Sequence, residues 1–511
     1  MQQLGSRAQP AELPAVPYRQ TARALIALIV ASATGIVALT AGFGLTGSAP
    51  VAIAAAVVGA LLAGWAAWRR PSIAIDTSGL PRRLVILSSL ATIGALVVLG
   101  RLAVFMIDPS RTEQSLVPTS AWEVGHSCLT AYYVAGQAVG QGQNPYDNAL
   151  YSAPDDDPAA TRKPRKLGSF NVDVYEYPPP FLLLPRLCSV LAPDFLRLRS
   201  LWFALNLAIV LVALPIVART LAPAAATRAM LLAPLVVFAM HTLSGLQKGN
   251  IQLAVIALSM LAMVFFERRW WAAGGALLAF TTVSKLFPGL LVLYLLARRQ
   301  WRAVFWTTAM GFVYALATLL DIGWTPFQAF FAHLPGLLGG EAFPAFRNPA
   351  ATAINASLPG LVFKLKLFGV PGMGFVAARI VGTASTLAVI WMILRAARQR
   401  PDGPTPLLWL SILVLATLCS PFLPQAYSAY PPLWLLTLLA ATATPSLRTF
   451  ALTIAAVLGL NVFWPVDWPI DARSLALLNA VPQALTVGIA VVGMRRGAAL
   501  GAIAKRFPAG S

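Results

Sequence analysis

Charge is what this sequence has least of. Asp, Glu, Lys and Arg make up only 11% of its 511 residues, against 58% hydrophobic. A soluble globular domain carries roughly 25% charged residues, so a soluble fold does not fit. Acid is the scarcer sign, with 18 Asp and Glu against 38 Lys and Arg, a net charge of +20. In a soluble chain that excess would point to nucleic acid. In an apolar chain it points to basic cytoplasmic loops and anionic lipid, and no nucleic-acid partner is expected. Cysteine is almost missing: three residues and no CxxC, which excludes a disulfide framework. An external bridge between Cys128 and Cys188 is the one pairing left open. Histidine is equally sparse, and no His/Asp cluster has convincing ligand spacing. No metal ligand and no cofactor are therefore predicted, and metal dependence is left unread. No internal repeat is present, which disfavours a transporter built from two similar halves.

What the chain does have is long apolar runs. A helix needs roughly 20 apolar residues to span a bilayer. Candidate spans begin near 23, 50, 84, 200, 229, 250, 303, 373, 405, 427, 450 and 475. Residues 1–22 read as a polar, disordered cytoplasmic tail, and the first apolar stretch as a retained helix rather than a signal peptide. Arg69/Arg70 and Arg82/Arg83 flank a short loop that the positive-inside rule places in the cytoplasm. The third helix then exits near Asp108, and residues 108–199 form one large external segment. Residues 271–297 lie between two basic clusters, so two short helices meeting near Lys285–Pro288 are expected there. The count becomes fourteen crossings with both termini cytoplasmic. The proline-rich stretch 178–193 is expected to stay outside as an interfacial or re-entrant helix. The expectation is an all-α polytopic membrane protein. It divides into a tail (1–22), an extra hairpin (23–83), a core (84–495) and a basic tail (496–511). High Ala and Arg usage fits a bacterial cytoplasmic membrane protein.

This topology sorts the chemistry. It places 14 of the 18 acids and all three histidines outside. Within the external segment, Ala121–Val139 has helical spacing, which Gly140 and Gly142 end. Glu123 and His126 then share one face, either as a carboxylate–imidazole base or as a solvated capping pair. Asn144-Pro145-Tyr146-Asp147 reads as a turn. Lys248 and Lys285 fall at helix ends on that same side, where ammonium groups either snorkel or hold a phosphate. Arg101 sits inside the third helix, a costly position that implies a partner or snorkelling.

Taken in order, several segments resemble one family. They are "YYVAGQAVGQGQNPYD", "YEYPPPFLLLPRL", "LQKGNIQLAVIAL", "TTVSKLFPGLLVLYLLARRQWRA", "NASLPGLV" and "SPFLPQAYSAYPPLWLL". They resemble the bacterial integral-membrane glycosyltransferases of family 87 in the GT-C superfamily, which include polyprenyl-phosphate-mannose-dependent mannosyltransferases. The likeness runs over about residues 84–495. It implies a GT-C-like bundle of about 12–14 helices whose first external loop closes a catalytic cavity.

The resemblance also implies a reaction. A sugar, mannose or another pentose or hexose, passes with inversion from a polyprenyl-phosphate donor to a lipid or polysaccharide acceptor on the outer face. Cations steady the departing phosphate. Lys285 and Lys248 are assigned to it, with Arg347 and Arg101 in reserve. Tyr133, Asn144, Tyr146, Asp147, Glu176, Tyr177, Asn250 and Gln252 are assigned to sugar and acceptor. One departure matters: the position of the family's proposed catalytic Asp holds Cys128. A thiol is a poor base. The base is therefore assigned to Glu123 with His126, Asp147 and Glu176 being further candidates. The rival readings are a lipid-linked sugar flippase or transporter and a non-catalytic envelope-polysaccharide assembly protein.

Overall fold

The computed structural model describes residues 16–69, 82–157, 159–399 and 405–506, with side chains from 24 to 499. The expected tail up to residue 15 and the whole loop 70–81 lie outside the described residues. The protein is helical almost throughout, as the apolar runs require. Its helices are α1 (Val16–Thr46), α2 (Ala49–Arg69), α3 (Arg82–Ile107), α4 (Ala121–Gly125), α5 (Leu129–Gly140), α6 (Leu183–Leu191), α7 (Phe195–Ala218), α8 (Pro223–Val237) and α9 (Met240–Lys248). There follow α10 (Gln252–Glu267), α11 (Trp271–Ser284), α12 (Gly289–Ala297), α13 (Trp301–Ile322), α14 (Thr325–Gly339), α15 (Pro349–Ala353) and α16 (Gly360–Leu367). The last are α17 (Phe375–Arg398), α18 (Pro406–Leu418), α19 (Gln425–Ser428), α20 (Tyr430–Thr442), α21 (Leu447–Leu460), α22 (Ala472–Leu478) and α23 (Ala480–Arg506). Helix α1 thus begins inside the segment read as a tail, and α23 continues to Arg506.

Among the described residues, seven helices are long and apolar enough to cross a membrane, or eight if the bent pair α8–α9 is one span. Shorter apolar helices, among them α10, α11, α18 and α21, occupy further positions where spans were expected. The long helices turn large apolar side chains outward, such as Leu61, Leu62 and Trp65 on α2 and Phe312, Leu316 and Leu320 on α13. Exposed leucines in contiguous rows suit lipid, not water. The main core lies between α3, α7, α8, α10, α18 and α20, and every residue of α18 is buried. The α1–α2 hairpin docks on α7 through Gly44, where an added Cβ would lie 2.7 Å from that of Leu201.

Three breaks interrupt the inner helices near one another. Helices α8 and α9 meet at 60°. Helices α11 and α12 are separated by Lys285–Pro288, as Pro288 predicts, since proline lacks the N–H that would continue a helix. Helices α18 and α20 are separated by Cys419–Pro424 and the short α19. Non-helical backbone at such depth survives only where protein covers it or a cavity takes it up.

The segment between α3 and α7 caps these breaks with a second, aromatic core. Tyr132, Tyr151, Tyr175, Phe181 and Trp202 are all fully buried in it. Three short strands stitch the segment: β1 (His126–Ser127), β2 (Lys166–Leu167) and β3 (Phe170–Val172). Strand β1 pairs parallel to β3, with His126 opposite Asn171 and Ser127 opposite Val172. Strand β2 pairs antiparallel to β3. The continuous helix expected over Ala121–Val139 is therefore corrected: it is broken at His126–Cys128, where His126 and Ser127 join the sheet and Cys128 precedes α5. Gly140 closes α5 as expected, and the 144–147 turn forms with a 3.2 Å bond from the Asp147 amide to the Asn144 carbonyl. The stretch 178–193 forms a 3-10 turn and α6, with Leu187, Val190 and Leu191 exposed along one side.

Candidate active site

The breaks and the cap enclose a cavity of about 600 Å³. Helix α9 contributes Lys248 at its last residue. Gly249, at φ +68°, then reverses the chain. A left-handed turn of this kind ends helices routinely and favours glycine. It leaves two carbonyls free: Lys248 O accepts from the Cys128 amide of the cap at 2.8 Å, and Gly249 O accepts from Trp202 Nε1 on α7 at 2.9 Å. Asn250 and Gln252, just beyond, line the cavity with Lys285, Tyr177 and Glu176.

Glu123 is not where a general base belongs. Lys248 Nζ donates to its Oε1 at 2.7 Å and Ser244 Oγ to its Oε2 at 3.2 Å, so both oxygens are engaged. Gln247 Nε2 holds the Glu123 carbonyl at 2.7 Å, and the Ser120 hydroxyl caps its amide at 3.0 Å. Asp467, from the loop after α21, fixes this turn by accepting from Ser120 Oγ at 2.6 Å and the Trp122 amide at 2.9 Å. The expected roles of both partners are revised accordingly. Glu123 and Lys248 neutralise each other at the cavity wall.

The acidic group that does face the cavity beside His126 is Asp173. Its Oδ2 lies 3.9 Å from His126 Nε2, and its Oδ1 accepts from the Val174 amide at 3.0 Å. Sequence reading passed over Asp173 because its partner stands across the β1–β3 ladder, not one helical turn away. His126 stacks on Trp122 at 4.6 Å, and its Nε2 lies 3.2 Å from the Tyr427 hydroxyl. Burial lowers its pKa, with the nearby Asp173 opposing. Its neutral ring is thus the stable form at pH 7. Cys128 Sγ lies 3.0 Å from the same hydroxyl, and burial pushes this thiol up to about 12. The described cysteines are all free, which overturns the Cys128–Cys188 bridge.

Lys285 makes no ion pair among the described residues. It lies in the α11–α12 break, with its ammonium 5.1 Å from the centroid of the Tyr177 ring. Burial draws it down to about 8, with Cys128 and Glu176 opposing that shift. Glu176 is raised by burial and further by Asp173, while Lys285 and Arg162 oppose. Glu176, Asp173 and Lys285, a cation with no ion pair among the described residues, therefore share one cavity.

Other expected residues serve the architecture. Arg347 binds Asp156 at 3.2 Å and the Asp157 carbonyl at 2.9 Å, away from the cavity. Arg101 reaches out of α3 to the Glu113 and Ser115 carbonyls at 2.9 and 3.0 Å, which is the snorkelling alternative. Tyr133 contacts the Pro193 carbonyl, and Asn144 and Asp147 satisfy local amides. Tyr146 is buried, bonds the Tyr177 carbonyl at 2.7 Å and stacks on His333. Of the assigned sugar-site residues, Glu176, Tyr177, Asn250 and Gln252 reach the cavity.

A bundle of apolar helices with broken spans, capped by a polar segment over a charged cavity, is the architecture of a multi-pass membrane protein. Residues 175–421 match the sequence model of glycosyltransferase family 87. The resemblance read from the motifs is thus borne out over that segment. The matched segment starts at Tyr175 and so excludes Glu123, His126, Cys128 and Asp173. No curated protein and no solved structure matches the chain.

Proposed function

We propose that the protein transfers a sugar from a polyprenyl-phosphate donor to a lipid or glycan acceptor, with inversion, at the outer face of a bacterial cytoplasmic membrane. The observation that carries this reading is Lys285, an unpaired cation facing Asp173 and Glu176 across one cavity. Lys285 holds the donor phosphate and offsets the charge that builds on it as the glycosidic bond breaks. Asp173 takes the acceptor hydroxyl proton, with the neutral imidazole of His126 beside it. Tyr177 and Trp122 offer ring faces to the sugar. Phe287, Leu334, Leu338 and Phe343 line the apolar side, where the prenyl chain fits. Both termini lie in the cytoplasm in this reading.

The test is native mass spectrometry with a panel of polyprenyl-phosphate sugars. Wild type retains one donor selectively, Lys285→Ala loses it, and Asp173→Asn keeps it but transfers no sugar. Failure of wild type to retain any of the lipids sinks the reading. Binding with movement across vesicles, and no transfer, favours a transporter. Full activity of Asp173→Asn removes the base.

A further inference from the structure

Three ligand-type atoms converge where the sequence spacing showed none. His126 Nε2, Cys128 Sγ and an oxygen of Asp173 all lie within 4.8 Å of one another. We propose that His126, Cys128 and Asp173 form a binding site for a thiol-tolerant divalent cation of the zinc type, with its open coordination positions facing the cavity.

The geometry supports this residue by residue. Tetrahedral zinc with ordinary bond lengths separates its N and S ligands by about 3.5 Å. Here His126 Nε2 and Cys128 Sγ are 3.7 Å apart, and Nε2 and Asp173 Oδ2 are 3.9 Å apart. The outer contacts are also those that orient metal ligands. Asn250 Nδ2 donates to Cys128 Sγ at 3.4 Å, as a thiolate requires. The Val174 amide holds Asp173 Oδ1 and leaves Oδ2 free to coordinate. Trp122 fixes the His126 ring by stacking. The Tyr427 hydroxyl, near both Nε2 and Sγ, stands beside the position of the cation. One thiolate and one carboxylate balance a divalent charge, while Glu123 is already matched by Lys248. A set of three protein ligands with an open position is that of a catalytic site. The ligands line the cavity, so the open position meets a substrate oxygen, while Asp173 binds the ion through Oδ2 and keeps Oδ1 to take the acceptor proton. That role rests on the transferase reading; the binding of the cation does not.

The experiment uses full-length protein in detergent, stripped with chelator and titrated with cobalt(II). Wild type is expected to show the near-ultraviolet thiolate-to-cobalt band, saturating at one ion per chain. Elemental analysis then finds one zinc retained after exchange. Cys128→Ser abolishes the band and lowers zinc affinity at least ~10-fold. Cys188→Ser, which removes a buried thiol elsewhere, keeps it. Asp173→Asn leaves the thiol in place and shifts the band. Absence of the band in wild type overturns the proposal whatever the variants do, and so does a band that survives in Cys128→Ser. Donor binding through Lys285 is measured separately on stripped protein. A missing band with donor still bound removes the cation alone; a band without donor binding removes the transferase reading alone.

Discussion

Glu123 and Lys248 form an ion pair 2.7 Å long, with side chains exposed by only 3% and 4%. The pair joins the capping segment to the last residue of α9, so it ties cap to bundle. Breaking one side leaves a buried charge without its partner, which costs about 3–5 kcal/mol. Glu123→Ala is expected to lower the thermal midpoint sharply, and Glu123→Met with Lys248→Met to recover most of the loss. Thermal unfolding in detergent measures both. A Glu123→Ala protein as stable as wild type would show that the pair holds nothing.

Donor affinity should depend on pH through Lys285. Burial draws its ammonium down to about 8, so it is charged at pH 7 and loses its proton as pH rises through that value. Binding of a phosphate diester weakens accordingly, by roughly tenfold per pH unit above the pKa. Glu176 and Cys128 face the same ammonium, and their ionisation acts in the same direction on an anionic ligand. Lys285→Arg, whose charge persists, keeps its affinity at high pH. A flat binding profile from pH 7 to 10 in wild type would remove Lys285 from the donor site.

Arg186 spans three elements from α6. Its guanidinium donates to both oxygens of Asp321 on α13, at 2.6 and 2.9 Å, and to the Gly136 carbonyl on α5 at 2.9 Å. The pair is partly exposed, so its stability contribution is only about 1 kcal/mol. Its larger effect is on local opening. Arg186→Ala is expected to speed amide exchange across α5 and α6 while leaving α10 and α18 unchanged. Unaltered exchange in α5 would refute the clamp.

The thiols give a direct check of the cap. Alkylation of denatured protein without reductant should add three labels, because the three cysteines are free. In the folded protein Cys128 and Cys188 react slowly, since burial pushes their thiols up to about 12 and about 11. Only the thiolate is the nucleophile. Rapid native labelling of Cys128 would mean that the cap stands open.

Much of this was legible in the residues. The apolar runs announced the spans, Pro288 announced the break at Lys285, and the 144–147 turn formed as its residues required. Lys248 and Lys285 were expected on one side and meet at one cavity. The site itself was harder to read. Glu123 and His126 look like neighbours on one helix, but the helix ends between them, and each finds its partner far along the chain. Glu123 meets Lys248, 125 positions away, and His126 meets Asp173 through a two-residue parallel ladder. Helical periodicity reports contacts three or four residues apart, not strand pairings across a loop.

The short inner helices set the depth of the cavity. Helices α10, α11 and α18 have 16, 14 and 13 residues. At about 1.5 Å per residue they reach roughly 20–24 Å, less than the ~30 Å of a bilayer's hydrocarbon layer. In a bilayer of that thickness, a cavity at their broken ends would be sunk below the membrane surface. In the transferase reading proposed above, a lipid-linked donor would reach it by sliding sideways, without lifting its chain into water. In that recess every charge acts more strongly than it would at an aqueous interface.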